Sequence, residues 1–312
     1  MRWSSYSTRS EDYGSEKGGE NVKTTWGERS FDALNAAFLT IFGLATLYPL
    51  LYIITLSFST PADALAMKFY WFPLHPTLMS YEKVLAHPDL LSAYGNTLIR
   101  TGVGIAISLT MTAMIAYPLS RRTFPHRKLI MKLFVFSMLF SGGTIPMFLL
   151  VKNLGLLNTL WALVLPGAVS AFNMIVMRNF FEGIPAEIIE SARIDGASEM
   201  RVLMRIVLPL SVPVMAVMAL WVGVAHWNHW FDALIYTTDN RWQVLQLFLR
   251  RTVVDATVSL TPGEDINRIN EEYTPESLKA ATIVAVTLPI LFLYPFIQRY
   301  FVKGIMLGSV KG

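Results

Sequence analysis

The sequence predicts an all-α integral membrane protein of six transmembrane helices, with both termini in the cytoplasm. Three observations predict it. The first is composition. Apolar residues make up 53% of the 312 residues and charged residues 15%, against about 25% charged in an ordinary soluble domain. So little polar surface cannot cover the chain in water, and lipid must cover part of it. The second is spacing. Six stretches carry no Asp, Glu, Lys or Arg, and each has room for a membrane-spanning helix. A span needs about 20 mostly apolar residues, and a charge at the bilayer centre costs roughly 2.5–3.5 kcal/mol. The third is asymmetry. With the N-terminus inside, the inside segments hold most of the 26 Lys and Arg residues, most densely in SRRTFPHRK.

The elements follow in chain order. Residues 1–32 form a polar cytoplasmic tail rich in Ser, Gly and mixed charge, which predicts fraying. No apolar run follows its first Arg, so it is not a signal peptide, and the first span is read as uncleaved. Residues 33–312 form the six-helix domain. Asp32 and Asp63 enclose the first span, Arg100 and Arg121 the second, and Lys132 and Lys152 the third. Lys152 and Arg178 enclose the fourth, Arg205 and Asp232 the fifth, and Lys279 and Arg299 the sixth. Pro49, Pro118, Pro146, Pro166, Pro213, Pro289 and Pro295 fall inside them. Membrane helices tolerate such breakers where neighbours satisfy the freed carbonyls. Two outside loops are long. Residues 60–96 are rich in Pro and aromatics, and residues 237–277 turn acidic near their end, which reads as an ordered docking loop.

Other bulk features exclude classes of function. The net charge of +4 is mild and forms no nucleic-acid stripe. Cysteine is absent, so disulfides, thiolate nucleophiles and cysteine zinc sites are excluded. No G-x-x-x-x-G-K-[ST] occurs, so this chain does not cradle ATP phosphates by that motif. The charge-free spans hold no acid or lysine for a proton-coupled carrier. An intramembrane hydrolase would need a base beside a nucleophile, as His226 with Ser108 or Ser141, and nothing singles these out.

The most informative segment lies inside, between spans four and five: FEGIPAEIIESARIDGASEMRVLMRIVLP. Pro185 suits the start of a short helix over residues 186–195. Gly196 permits the left-handed residue that ends it. Ser198 suits the cap of a second helix running into span five. Small residues at Ser191, Ala192, Gly196 and Ala197 leave one face shallow, so that another protein's groove can close over it. Ile188, Ile189, Val202 and Leu203 supply apolar area for that contact. Glu190 is expected to pair with Arg193, Arg201 or Arg205 and so hold the two helices.

These residues resemble a family signature. Glu190-Ser191-Ala192, three residues, Gly196, nine residues, then Ile206-x-Leu208-Pro209 matches the pattern of ABC-importer permeases at every spacing, with Ser191 where many members carry Ala. FPLHPTLMSYEKVL, AYPLSRRTFPHRK, WNHWFDALIY and QRYFVKGIMLGSVKG resemble the carbohydrate-uptake branch, the relatives of the maltose permeases. Within it, the chain is similar to permeases for acidic oligosaccharides such as alginate. The resemblance implies a transport subunit with no catalytic residue, no metal and no cofactor of its own. It implies a second permease, two ATPase subunits that bind ATP and Mg²⁺, an extracytoplasmic solute-binding protein, a saccharide substrate and a bacterial inner membrane. Residues 186–195 would be the coupling helix in an ATPase cleft. Gly308, Ser309, Val310, Lys311 and Gly312 would reach into the ATPase dimer interface. The loop 237–277 would probe the binding protein. A permease for a non-carbohydrate solute is the alternative.

Sugars are held by aromatic faces, amides and hydroxyls. Trp221, His226, Trp227, Asn228 and Trp230 near the outer end of span five, with Ser170 and Asn173 in span four, are therefore the candidates for a substrate path. Trp also serves as an interfacial anchor, which fits WNHW equally. His226 and His229 share a helical face, with Asp232 as the one further ligand nearby, too few for a metal. Arg100, Lys152, Arg250 and Arg251 fall outside, as solvated charges or as steering for an anionic solute.

Overall fold

The computed structural model describes residues 26–66, 72–258 and 273–309. Among them every regular element is a helix, and one isolated antiparallel bridge joins Ser59 to Pro76. The chain divides into two units at Leu50 and Leu51. Most of α1 (Trp26–Ser57) belongs to the first. It is long and apolar enough to cross a membrane, and Phe38, Phe42 and Leu44 are exposed along it.

In the second unit, α2 (Pro61–Leu65) and α3 (Met79–Leu85) lead to the central helix α4 (Pro88–Ser120). Pro88 opens α4, and the His87 ring accepts a hydrogen bond from the Asp89 backbone N–H. Ala93, Thr97, Arg100, Gly104, Ser108 and Thr112 recur at helical spacing and are all buried. All but Arg100 are small, so neighbouring helices approach closely, the usual way apolar helices associate in lipid.

Three other candidate spans are broken. Helices α5 (Arg127–Leu139) and α6 (Thr144–Asn153) meet at a bend of 114°. Gly143 sits there at φ +86°, and its N–H donates to Ser141 Oγ. The charge-free gap between Lys132 and Lys152 is therefore not one straight helix. Helix α7 (Leu160–Val164), prolonged by a 3-10 turn at Leu165–Gly167, meets α8 (Ala171–Glu182) at 55°. The breaker is Pro166–Gly167, and the Ser170 hydroxyl caps α8 on the Asn173 N–H.

Beyond α8 come α9 (Ala186–Ile194), α10 (Glu199–Val202), a π-helical turn at Leu203–Val207 and α11 (Leu208–Leu210). Helix α12 (Val212–Asn228) then departs at 82°. Pro209 and Pro213 flank the break and cannot donate to a continuous ladder. Helices α13 (Phe231–Tyr236), α14 (Leu245–Val258) and α15 (Pro275–Ser309) complete the chain. Helices α4 and α15 are the other unbroken candidates for a span.

Helix α4 packs along α12 and α8, and α14 lies on α4 and α15. At one end of α4, Ala116 and Tyr117 share a core with Met174, Phe181, Val207 and Met218. At the other, Leu90 and Ala93 share one with Trp227, Leu245, Phe248 and Ala281. The described part of the outer loop is tied down. Asn96 Nδ2 donates to the Arg241 and Gln243 carbonyls, and the Leu245 N–H donates to Thr97 Oγ1. The acidic stretch at residues 264–272 lies outside the described residues, as does the tail before Trp26.

Candidate functional site

The segment at residues 190–209 folds as two short helices around Gly196, which sits at φ +78°. The Ala197 N–H reaches back to the Ala192 carbonyl and closes the turn. Glu190, Ser191, Gly196 and Pro209 are exposed, while Ala192, Ala197, Ile206 and Leu208 are half-buried. Pro185 caps α9 from just outside it, and Ser198 caps α10 without a side-chain hydrogen bond.

Two expectations for this segment change. Ile189, Val202 and Leu203 do not face outward. They are buried in the core that contains Phe181 and Met218. Each contributes about 1.5–3 kcal/mol by leaving water, so they bolt the segment to the bundle. The outward apolar rim is made instead by Ile188, Ile194, Met200 and Met204, of which Ile194 is 86% exposed. The ion pair joining the two helices is Arg193 to Glu199 at 2.7 Å, not one through Glu190. Glu199 also accepts from Tyr117 Oη at 2.6 Å, tying the segment to α4.

A cavity of about 510 Å³ opens beside the middle of α4. Ser170, Asn173 and Trp221 line it together with Ser108, as does His226. The Trp221 ring leans on Phe172 at 5.5 Å, which fixes its plane. An aromatic face beside an amide and two hydroxyls suits a sugar ring. The other candidates stand elsewhere. Trp227 is buried in the core with Leu245 and Phe248. Asn228 donates to the Val224 carbonyl of its own helix. Trp230 carries the Arg250 guanidinium over its ring at 4.4 Å. Gly308 and Ser309 end α15, and Val310, Lys311 and Gly312 lie outside the described residues.

The cavity also has a charged end that the sequence reading placed in solvent. Arg100 is buried, 1% exposed, and pairs with Asp232. Its Nη1 donates to the His229 carbonyl at 2.8 Å, and Nε approaches His226 Nδ1 at 3.4 Å. His229 itself pairs with Asp232 at 3.1 Å. Arg100 is therefore not a solvated charge. The signal for this was present: Arg100 shares one helical stripe with Ala93, Thr97 and Gly104. Among the described residues, no three His, Asp or Glu side chains gather as metal ligands would.

A helical bundle with an internal cavity, a helix–turn–helix bolted to one end and an exposed apolar rim there defines a class: a membrane permease subunit driven by a partner. Residues 108–307 match the family described as binding-protein-dependent transport system inner membrane component, and the chain belongs to that family. It is 45% identical over 284 residues to Protein LplC of Bacillus subtilis, covering 91% of this chain and 96% of that protein. It is 40% identical to the polygalacturonan/rhamnogalacturonan transport system permease protein YtcP of the same organism, covering 91% and 99%. Among solved structures, it superposes with a TM-score of 0.82 and 32% identity on a chain of a bacterial ABC transporter involved in the import of the acidic polysaccharide alginate. That match covers 89% of this chain and 99% of the other. The protein is thus a membrane-embedded permease of a binding-protein-dependent ABC importer, and the ATP-hydrolysing activity resides in partner subunits.

Proposed function

We propose that this chain crosses a bacterial inner membrane six times, three times as α1, α4 and α15 and three times as a bent helix pair, with both termini in the cytoplasm. The concentration of Lys and Arg in the segments then inside supports this orientation. The chain pairs with a second permease above two ATPase subunits, which hold ATP and Mg²⁺, and a solute-binding protein feeds it from outside. Its cargo is an oligosaccharide, an acidic one in keeping with the galacturonan and alginate systems it resembles.

One observation carries the mechanism: the turn at Gly196 presents Ile194 and Met200 outward while Ile189, Val202 and Leu203 anchor the same segment in the bundle. A force applied to the rim is transmitted to α4, α8 and α12 because their side chains share that core. ATP binding closes the ATPases and draws the rims of the two permeases together. The bundle then moves by rigid-body motion between inward-open and outward-open states, since the closed ATPase dimer binds one state better than the other. Trp221, Asn173 and Ser170 lie along the substrate path, and Gly308 and Ser309 lead the C-terminus toward the ATPases.

The test is ATPase stimulation of the reconstituted complex by its binding protein and a panel of neutral and acidic oligosaccharides. Stimulation by uronate-containing oligomers is expected. Stimulation by neutral sugars alone would remove the acidic assignment, and stimulation by no saccharide would remove the carbohydrate reading.

A further inference from the structure

At the far end of α4 from Arg100, a pocket of about 380 Å³ opens between that helix, the turn after it and the segment α9–α10. Arg121, Tyr117, Arg193 and Glu199 line its polar side. The Arg121 guanidinium stands over the Tyr117 ring at 4.9 Å. Its Nε and one terminal nitrogen are shut off from solvent and have no acceptor among the described residues. The acid that lines the pocket is already engaged. Glu199 serves Arg193 and Tyr117. Arg121 is half-buried, and N–H groups left there without an acceptor are costly, so the site favours an anion.

The rest of the pocket says which kind of anion. Apart from Thr123, its other walls are apolar, including Pro118, Phe124 and Leu203, and Met114 and Met200 stand half-exposed around it. A small soluble anion gains nothing from such walls. An amphiphile with an anionic head does. The height fits as well. Arg100 and Arg121 lie twenty-one residues apart along α4, about 32 Å at helical rise, against a hydrocarbon core of about 30 Å. Arg121 ends α4 and closes its charge-free stretch, which puts it at headgroup level once that stretch spans the hydrocarbon core.

We propose that this pocket binds the phosphate headgroup of an anionic phospholipid, with Arg121 as its cationic anchor and the apolar walls against its glycerol and upper acyl chain. Basic pockets at the cytoplasmic ends of membrane helices take such headgroups. The site touches Tyr117, Arg193 and Glu199, the same groups that tie the coupling segment to α4. The placement in the inner leaflet rests on the orientation proposed above.

The test is native mass spectrometry of the whole complex, ATPases included, released from vesicles of phosphatidylcholine mixed with phosphatidylglycerol at equal mole fraction. The wild type is expected to retain phosphatidylglycerol over phosphatidylcholine, and Arg121→Gln to lose that preference about fivefold. Arg121→Lys should keep most of it, which separates loss of charge from loss of fold. Arg122→Gln, altering the adjacent exposed arginine, should leave it unchanged. Four results would overturn the proposal: no preference in the wild type, equal retention by Arg121→Gln, an equal loss in Arg122→Gln, or displacement of the lipid by millimolar inorganic phosphate. A complex that no saccharide stimulates would fail the functional reading and leave this measurement untouched.

Discussion

Arg100, within α4, and Arg121, at its C-terminal end, are treated in opposite ways. Arg100 is buried with Asp232, the His229 carbonyl and His226 around it. Arg121 has a tyrosine face and no anionic partner among the described residues. The first guanidinium closes a contact between α4 and the turn from α12 to α13. The second leaves one open beside the segment at residues 190–209. One guanidinium is neutralised by a partner on another helix, and the other has no anionic partner among the described residues.

The largest effect is expected in the segment at residues 190–209. Gly196→Pro forces φ toward −65° at a position that needs +78°. Membrane insertion should persist, while saccharide-stimulated ATPase activity of the reconstituted complex should be lost. Normal coupling would remove the segment from the drive path. Beside Arg100, Asp232→Ala leaves a buried arginine uncompensated, a loss of about 3–5 kcal/mol, read as a lower Tm of the detergent-purified complex. Adding Arg100→Met should recover most of it, because the cost lies in the stranded charge. Gly104→Ala is expected to act next. A β-carbon there would overlap the His226 ring, and overpacking costs about 1–3 kcal/mol. Its effect should shrink in a His226→Ala background. The smallest loss belongs to Arg121→Gln. It removes only a ring contact within the chain, so Tm should fall by the equivalent of less than about 1 kcal/mol. A loss as large as that of Asp232→Ala would mean that Arg121 has an internal partner and would end the contrast.

Much of the segment around Gly196 was legible in the sequence. Gly196 at a fixed distance after Ala192, with a proline before the first helix, marks a helix, a left-handed turn and a second helix by local rules alone. The inward turn of Ile189, Val202 and Leu203 was not legible. A short amphipathic helix shows that its apolar residues share a face, but not whether that face meets its own bundle or a partner. The same limit applied to the WNHW stretch. Trp221 and Asn173 line one cavity, whereas Trp227, Asn228 and Trp230 are engaged in packing and local contacts.

By itself the sequence determined the membrane class, the charge-free stretches, the asymmetry of basic residues and the turn at Gly196, because each depends on neighbours within a few turns of helix. Only the tertiary structure decided that Arg100 goes inward. Its partner, Asp232, lies 132 residues away, and nothing local distinguishes a guanidinium facing solvent from one facing a carboxylate on another helix. The break in the third charge-free stretch belongs to both. Gly142 and Gly143 permit it in the sequence, but the 114° bend is set by where α5 and α6 find helices to pack against.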